Sequence, residues 1–261
     1  MNTSTAIAVY AKIITDYIKP AYFRNMARSP SSPSAEPLAR SAYHHGDLRA
    51  ALIEAAVQLI EEQGVDKLSV REAAKRAGVS PGAPFRHFAT RTALLTAVAE
   101  QATERLRAQV QQALQAVAGA PALVRFAAIG HAYLAWASAH PTHFRVISER
   151  PLIDYDSSET LQQSNAAIRA TMQQLLVEAF GTQKDPREMA LARIAARALV
   201  YGLARMAVDG HFPEWGLPQQ ATETTLADTL DFFMEQLAAP PGSSAAPGTD
   251  ADAMSLKLNG I

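Results

Sequence analysis

From position 48 onward, apolar residues return every three or four places. Leu48, Leu52, Ala55, Ala56 and Leu59 fall at helical spacing, and Gly64 stands where a helix commonly ends. A second helix is predicted from Ser69. There Ser69-Val70-Arg71-Glu72 forms a capping box, in which the Ser69 hydroxyl can accept from the Glu72 amide. Its inner face is Val70, Ala73, Ala74 and Ala77, and Gly78 stops it. A long helix is predicted from about Thr90 to Leu114, with Thr90 as N-cap and Leu94, Leu95, Val98, Leu106 and Val110 on its apolar side. Ala118 to Pro121 breaks the chain. Four more helices are predicted over 122–139, 158–179, 186–209 and 220–238, separated by Pro141, Pro151, Gly181 with Pro186, and Gly210 with Pro213. No stretch alternates as a strand should and no segment repeats. The pattern predicts an all-α chain.

The two ends carry no such periodicity. Residues 27–42 are rich in Ser, Pro and Ala, and the stretch after 238 has the same character. Both lack the apolar area needed to offset ordering. The expected organisation is a disordered extension over 1–42, a first domain over 43–107, a second over 108–238 and a disordered tail over 239–261. The apolar start has no basic region before it, so no secretory signal is expected, and Met26 is an alternative initiator. No run reaches the ~18 apolar residues of a membrane span.

Composition narrows the chemistry. The 261 residues are 48% hydrophobic, enough for a substantial core, and the formal net charge is -1. A chain so balanced is not a basic coat for nucleic acid, so any such contact must come from a local face. There are no cysteines, which excludes disulfides, thiolate metal sites and a cysteine nucleophile. His140 and His143 flank Pro141 with no third ligand near in sequence, and no metal is expected there. Glu61 and Glu62 read as solvated acids at a helix end. No nucleophile elbow or phosphate-binding glycine loop occurs, so neither an enzyme nor a cofactor is predicted.

One stretch breaks the helical pattern densely. Gly78, Pro81, Gly82 and Pro84 fall within seven residues, and Arg86, His87 and Phe88 follow at once. Gly78 can take a positive φ, Val79 can plug the angle, Ser80 can cap a new helix and Pro81 suits its first position. Two helices joined so tightly, after a supporting helix, form a helix-turn-helix, whose second helix enters the DNA major groove. Between Ser69 and Arg91 five basic residues face one acid, Glu72, a net of +4. Pro84 should force a tight, 3₁₀-like first turn. Gly82, Ala83 and Pro84 offer bases few hydrogen bonds, so specificity should rest on Arg86, apolar contact with thymine methyls, and DNA shape.

Tyr43 to Val98, with its Gly-Val-Ser turn and its Phe85-Arg86-His87-Phe88 end, resembles the DNA-binding domain of the TetR family of transcriptional regulators. The resemblance implies a dimeric repressor, cytoplasmic, released from double-stranded operator DNA by a small effector. Phe85 stands where the family usually has a phosphate-touching Tyr. His87 matches the family His, Phe88 the core aromatic, and Arg91 a usual Lys. Ser69 and Arg71 sit where the second helix meets the DNA backbone.

Gly130 to Ile147 and Leu199 to Pro213 resemble the WHG-type C-terminal domain of one branch, although Ala198 and Tyr201 replace its usual Trp and His. An apolar or amphipathic ligand should lie between helices of this second domain. Its candidate lining is Phe126, His131, Trp136, Phe144, Met172, Leu176 and Met206, though each singly is more often a core residue. The last two helices should pair with their symmetry mates through Leu191, Ile194, Ala198 and Tyr201, and through Leu226, Leu230, Phe233 and Leu237; the alternative is that these faces pack only inside one chain. Two alternatives stand beside this: a constitutive DNA binder without sensing, and an enzyme using the second-domain pocket with His131 as base.

Overall fold

A computed structural model describes residues 48–181, 184–218 and 221–239. The expected N-terminal extension, the first residues of the expected first domain, and nearly all of the expected tail lie outside the described residues. Helix α1 forms over Leu48–Gln63, and Gly64, at φ 83°, ends it. After a short 3₁₀ turn, Val65–Lys67, comes α2, Val70–Arg76. The Ser69 hydroxyl accepts from the Glu72 amide at 3.1 Å, the cap expected there. Gly78 takes φ 71° and turns the chain. Helix α3 spans Arg91–Ala116, and the Thr90 hydroxyl accepts from the Ala93 amide at 3.0 Å. Then follow α4 (Ala122–Ala139), α5 (Pro141–Ser148), α6 (Glu159–Phe180), α7 (Pro186–Asp209) and α8 (Thr222–Ala238). Among the described residues there is no strand, and the fold is all-α.

One helix was not expected. The sequence marks Pro141 as a separator, yet it is the first residue of α5. A proline loses nothing there, because the first amide of a helix has no intrahelical partner. Pro186 starts α7 in the same way, with the Asp185 carboxylate accepting from the Arg187 amide at 2.6 Å.

Two cores form. The first joins Leu52, Ala56 and Leu59 of α1, Ala73 and Ala74 of α2, Phe88, and Leu94, Leu95 and Val98 of α3. The second packs α3, α6, α7 and α8 around α4, which is buried on nearly every side. α4 sits close to α7 and α8 because residue 130 is glycine. A Cβ there would lie 2.8 Å from Leu230 Cδ2 and 3.3 Å from Val200 Cγ1. One residue on, His131 Nε2 donates to Asp231 Oδ1 at 2.8 Å and ties α4 to α8 in the interior.

The cores meet along α3. Val146, Ile153 and Leu161, from beyond α4, complete the first core. Polar bonds mark the same joint. Glu100 accepts from Arg49 Nη2 at 3.2 Å and from the Ser158 hydroxyl at 2.8 Å. Ser158 also caps α6, and the Asp154 amide donates to Thr96 Oγ1 at 2.9 Å. Lower on α3, Arg105 Nη1 lies 3.3 Å from Nε2 of the buried His143. Burial first, and then the Arg105 and His140 charges, push the His143 pKa down to about 4.

Two outcomes follow from this packing. Gly130→Val is expected to destabilise the fold by about 1–3 kcal/mol, because the branched side chain meets Leu230 and Val200. Urea unfolding should show a lower midpoint at unchanged slope; an unchanged midpoint would mean that α4 moves aside freely. His143 binds its proton in the unfolded chain first, at an ordinary 6.5, and in the folded chain only near 4. Its contribution is therefore complete above 6.5 and lost as pH falls toward 4. Stability should drop across that window, and His143→Gln should make the drop shallower; equal pH slopes for both proteins would contradict it.

Candidate nucleic-acid interface and effector cavity

The segment after Gly78 is a four-residue 3₁₀ turn, Ala83–Arg86, rather than an α-helix. Proline 84 is the cause. It has no amide to give to the Ser80 carbonyl, so that carbonyl takes the Ala83 amide instead, at 3.0 Å. The Pro84 carbonyl then accepts from both the His87 and the Phe88 amides, at 2.9 and 2.8 Å. The expected tight turn is present, but it fills the whole segment. Ser80 enters it by its carbonyl, and no side chain caps the turn, whose N-cap position is Gly82.

This turn sorts the side chains. Ser80, Gly82, Phe85, Arg86 and His87 are exposed, Ala83 is half-buried, and Phe88 is buried beneath them. Pro84 is buried as well, which corrects the expectation that it faces DNA. Its ring packs inward because the 3₁₀ geometry turns it away from the Phe85 and Arg86 surface. Phe85 is 45% exposed, a large apolar ring on the outer face. Arg49 lies over the Phe88 ring, its Cζ 5.7 Å from the centroid, and so links α1 to the turn.

The basic face is smaller than the sequence suggests. Arg76 bonds Glu62 through both guanidinium nitrogens, and this hydrogen bonding holds the Glu62 carboxyl below the usual carboxylate range. Glu62 is thus paired as well as exposed. Arg91 Nη2 donates to the Val65 carbonyl at 2.7 Å and is half-buried. Ser69 is half-buried with its hydroxyl occupied by the helix cap. Arg71, Lys75 and Arg86 remain exposed, with no ion pair among the described residues.

The second domain holds a cavity of about 620 Å³. Of the candidate lining residues, Phe126 and Met172 border it. His131, Trp136, Phe144, Leu176 and Met206 do not. Trp136, Phe144 and Leu176 are completely buried in the core, His131 is bound to Asp231, and Met206 packs against the core from its edge. α4 is apolar all round, so periodicity could not tell which stripe meets the void. The stripe is Phe126, Ile129, Gly130 and Tyr133. The lining also contains Arg150, Arg169, Arg193 and Arg197, none of them foreseen. Only the one-turn spacing of Arg193 and Arg197 is a sequence signal, since it places both on one face of α7. Burial raises the Tyr133 pKa, against the opposing pull of Arg197, whose Cζ lies 4.9 Å from the ring centroid.

The expected dimer faces divide. Leu226 and Leu230 are buried within the chain, a correction to their expected place, since they fill the core beside α4. Leu191 and Ile194 are 55% and 61% exposed, and Phe232 on α8 is 63% exposed. Ala198 is exposed, and Tyr201, Phe233 and Leu237 are half-buried. No helix among the described residues is long and apolar enough to cross a membrane.

Residues 52–98 match the family described as bacterial regulatory proteins, tetR family, and residues 126–233 match the tetracyclin repressor-like C-terminal domain. The chain is similar to the HTH-type transcriptional regulator BetI of Cronobacter sakazakii, 27% identical over 192 residues, covering 73% of this chain and 91% of that protein. A solved structure of a protein with unknown function from Rhodococcus sp. RHA1 is 31% identical, with 74% of this chain and 97% of that one covered and a TM-score of 0.59. A regulatory protein in the tetR family from Rhodococcus RHA1 shares the fold at 19% identity and a TM-score of 0.58, over 74% of this chain and 97% of that one. With its helix-turn-helix in front and a helical domain built around α4 behind, this chain belongs to the TetR family of DNA-binding transcriptional regulators.

Proposed function

We propose that the protein is a cytoplasmic, dimeric repressor that leaves its operator when a small amphipathic effector fills the second-domain cavity. The observation that carries this reading is the loop between α5 and α6. Ile153 and Tyr155 of that loop line the cavity. Asp154 and Ser158 of the same loop bond Thr96 and Glu100 on α3, and Glu100 holds Arg49 on α1. An effector that moves this loop moves the first domain. Such an effector acts only if it binds the DNA-bound and DNA-free arrangements unequally.

On the DNA side, Arg86 is assigned to a base edge and Phe85 to thymine methyls, with His87, Ser80 and Gly82 beside them. Ala83 stands behind this surface, and Pro84 supports it from within. Arg71, Ser69 and Arg91 are assigned to the phosphate backbone. Phe85 cannot make the hydroxyl contact to phosphate that the family's Tyr would, so ring contact takes its place. The dimer is assigned to α7 and α8. Leu191, Ile194, Ala195 and Ala198 form one exposed stripe on α7, opposite the stripe that packs into the core. Exposed apolar stripes of this kind mark association surfaces. A two-fold axis through them would set two recognition turns against successive major grooves, roughly 34–36 Å apart.

Selection of bound sequences from random DNA, with the purified protein, should return a palindromic operator. Arg86→Ala should weaken operator binding by about 1–3 kcal/mol and relax base preference at one position in each half-site. Arg91→Ala should weaken all sequences alike and reduce the salt slope by about 1; a loss confined to one base would exclude a backbone role. In light scattering the native protein should be a dimer, while Leu191→Asp with Phe232→Asp should give a folded monomer that no longer holds the operator. A native monomer would overturn the dimer.

A further inference from the structure

We propose that the cavity takes an amphiphilic anion: a carboxylate or phosphate head on a hydrocarbon body. This deepens the effector reading above and rests on it. The inner wall is apolar and buried, with Phe126, Ile129, Leu161, Met172, Leu230 and Met234 all facing the void. At about 620 Å³ it is of ordinary small-molecule size. The charged groups of the lining are all of one kind. Arg150, Arg169, Arg193 and Arg197 border the cavity, and no Asp or Glu does. The excess is local, because the whole chain carries a formal charge of -1.

Elsewhere in the second domain, arginines find carboxylates: Arg107 has Glu104, Arg125 has Glu178, and Arg205 has Glu149 and Asp209. Around the cavity only Arg150 does, with Asp156 at 3.0 Å, while its guanidinium also covers the Tyr155 ring. Arg193 donates to the neutral Gln173 amide at 2.6 Å. Arg197 lies over Tyr133 and Tyr201, with no acid partner among the described residues. Arg169 is exposed, and no ion pair among the described residues includes it.

The placement converges. Gln173 lies one turn beyond Arg169 on α6, so the bond from Arg193 brings α7 against the α6 row that carries Arg169. Arg193 and Arg197 are themselves one turn apart on α7. Three guanidinium groups thus border one seam at the exposed edge of an apolar void. Guanidinium forks recognise carboxylate and phosphate in two-point geometry, and they remain charged at any working pH. An anion seated at that seam supplies the carboxylate or phosphate partner that these groups lack while its hydrocarbon body replaces water on the inner wall. A cation meets the reverse situation, with repulsion at the edge and no acid to offset it.

The test compares four probes of one chain length on the full-length protein by titration calorimetry, below their micelle-forming concentrations. They are laurate, dodecyl phosphate, 1-dodecanol and dodecyltrimethylammonium. Laurate or dodecyl phosphate should bind at least about tenfold more tightly than dodecanol, the effect of one good charge-assisted contact. Whichever anion binds better identifies the head group. The cation should bind most weakly. Arg169→Gln with Arg197→Gln should abolish the preference for the anion while leaving dodecanol affinity unchanged; Arg169→Gln alone, at an exposed helix position, should reduce it and serves if the double variant fails to fold. Equal binding of the alcohol or the cation overturns the anion class, as does an anion preference that survives in both variants. Operator release, measured in parallel, separates the two proposals. Release by every probe alike keeps an effector-responsive repressor and removes the anion class. Tight anion binding with no release keeps the anion site and removes the repressor reading.

Discussion

Everything in this fold depends on α3 being one unbroken helix shared by two cores. Its 26 residues, Arg91–Ala116, span about 39 Å at the rise of an α-helix. Leu94, Leu95 and Val98 are buried among α1 and α2, while Leu106 and Val110 are buried against the second core. The helix therefore cannot move in one domain alone. Hydrophobic burial at both ends makes it stiff, because neither set of side chains can leave its core without exposing apolar area to water.

Between the two burial zones the contacts change character. Thr96 and Glu100 meet the loop between α5 and α6 through hydrogen bonds, and Glu100 reaches Arg49 on α1. These bonds are directional and individually modest, so they can be exchanged at little cost, where a packed core resists displacement. His143 adds an opposing feature near the joint. It is buried beside Arg105, and it holds only while neutral, so acidification weakens the seam between α3 and α5.

The recognition segment shows how one residue can redirect a motif. Proline 84 withholds the amide that an α-helix would use, and the chain answers with 3₁₀ bonds from Ala83, His87 and Phe88. The consequence is a short, rigid platform. Phe85, Arg86 and His87 project from it, while Pro84 and Phe88 anchor it below. Glu62 offsets the charge of Arg76, while the Val65 carbonyl takes one donor of Arg91 and leaves its charge in place. What remains free is concentrated in Arg71, Lys75 and Arg86.

The sequence by itself determined every helix but α5, the caps at Ser69 and Thr90, and the turn that begins at Gly78. Those features are local: Ser69 and Thr90 each bond an amide three residues away, and Gly78 needs only its own φ. Apolar spacing also marked the stripes that seek burial, because a stripe follows from its period. It did not determine what each stripe is buried against. Leu226 and Leu230 have the pattern of an interface, yet they fill the chain's own core, while Leu191 and Ile194 are left in solvent. α5 was illegible because a proline reads alike as a break and as a first helical residue. The cavity was the least legible feature. Trp136 and Phe126 are both large apolar residues of α4, and only the packing of the surrounding helices decided that one is core and the other lining. Arg169 and Arg193 are 24 positions apart, on different helices, and no local rule relates them. Their neighbourhood is a product of helix packing, which depends on distant surfaces fitting together rather than on any residue's own preference.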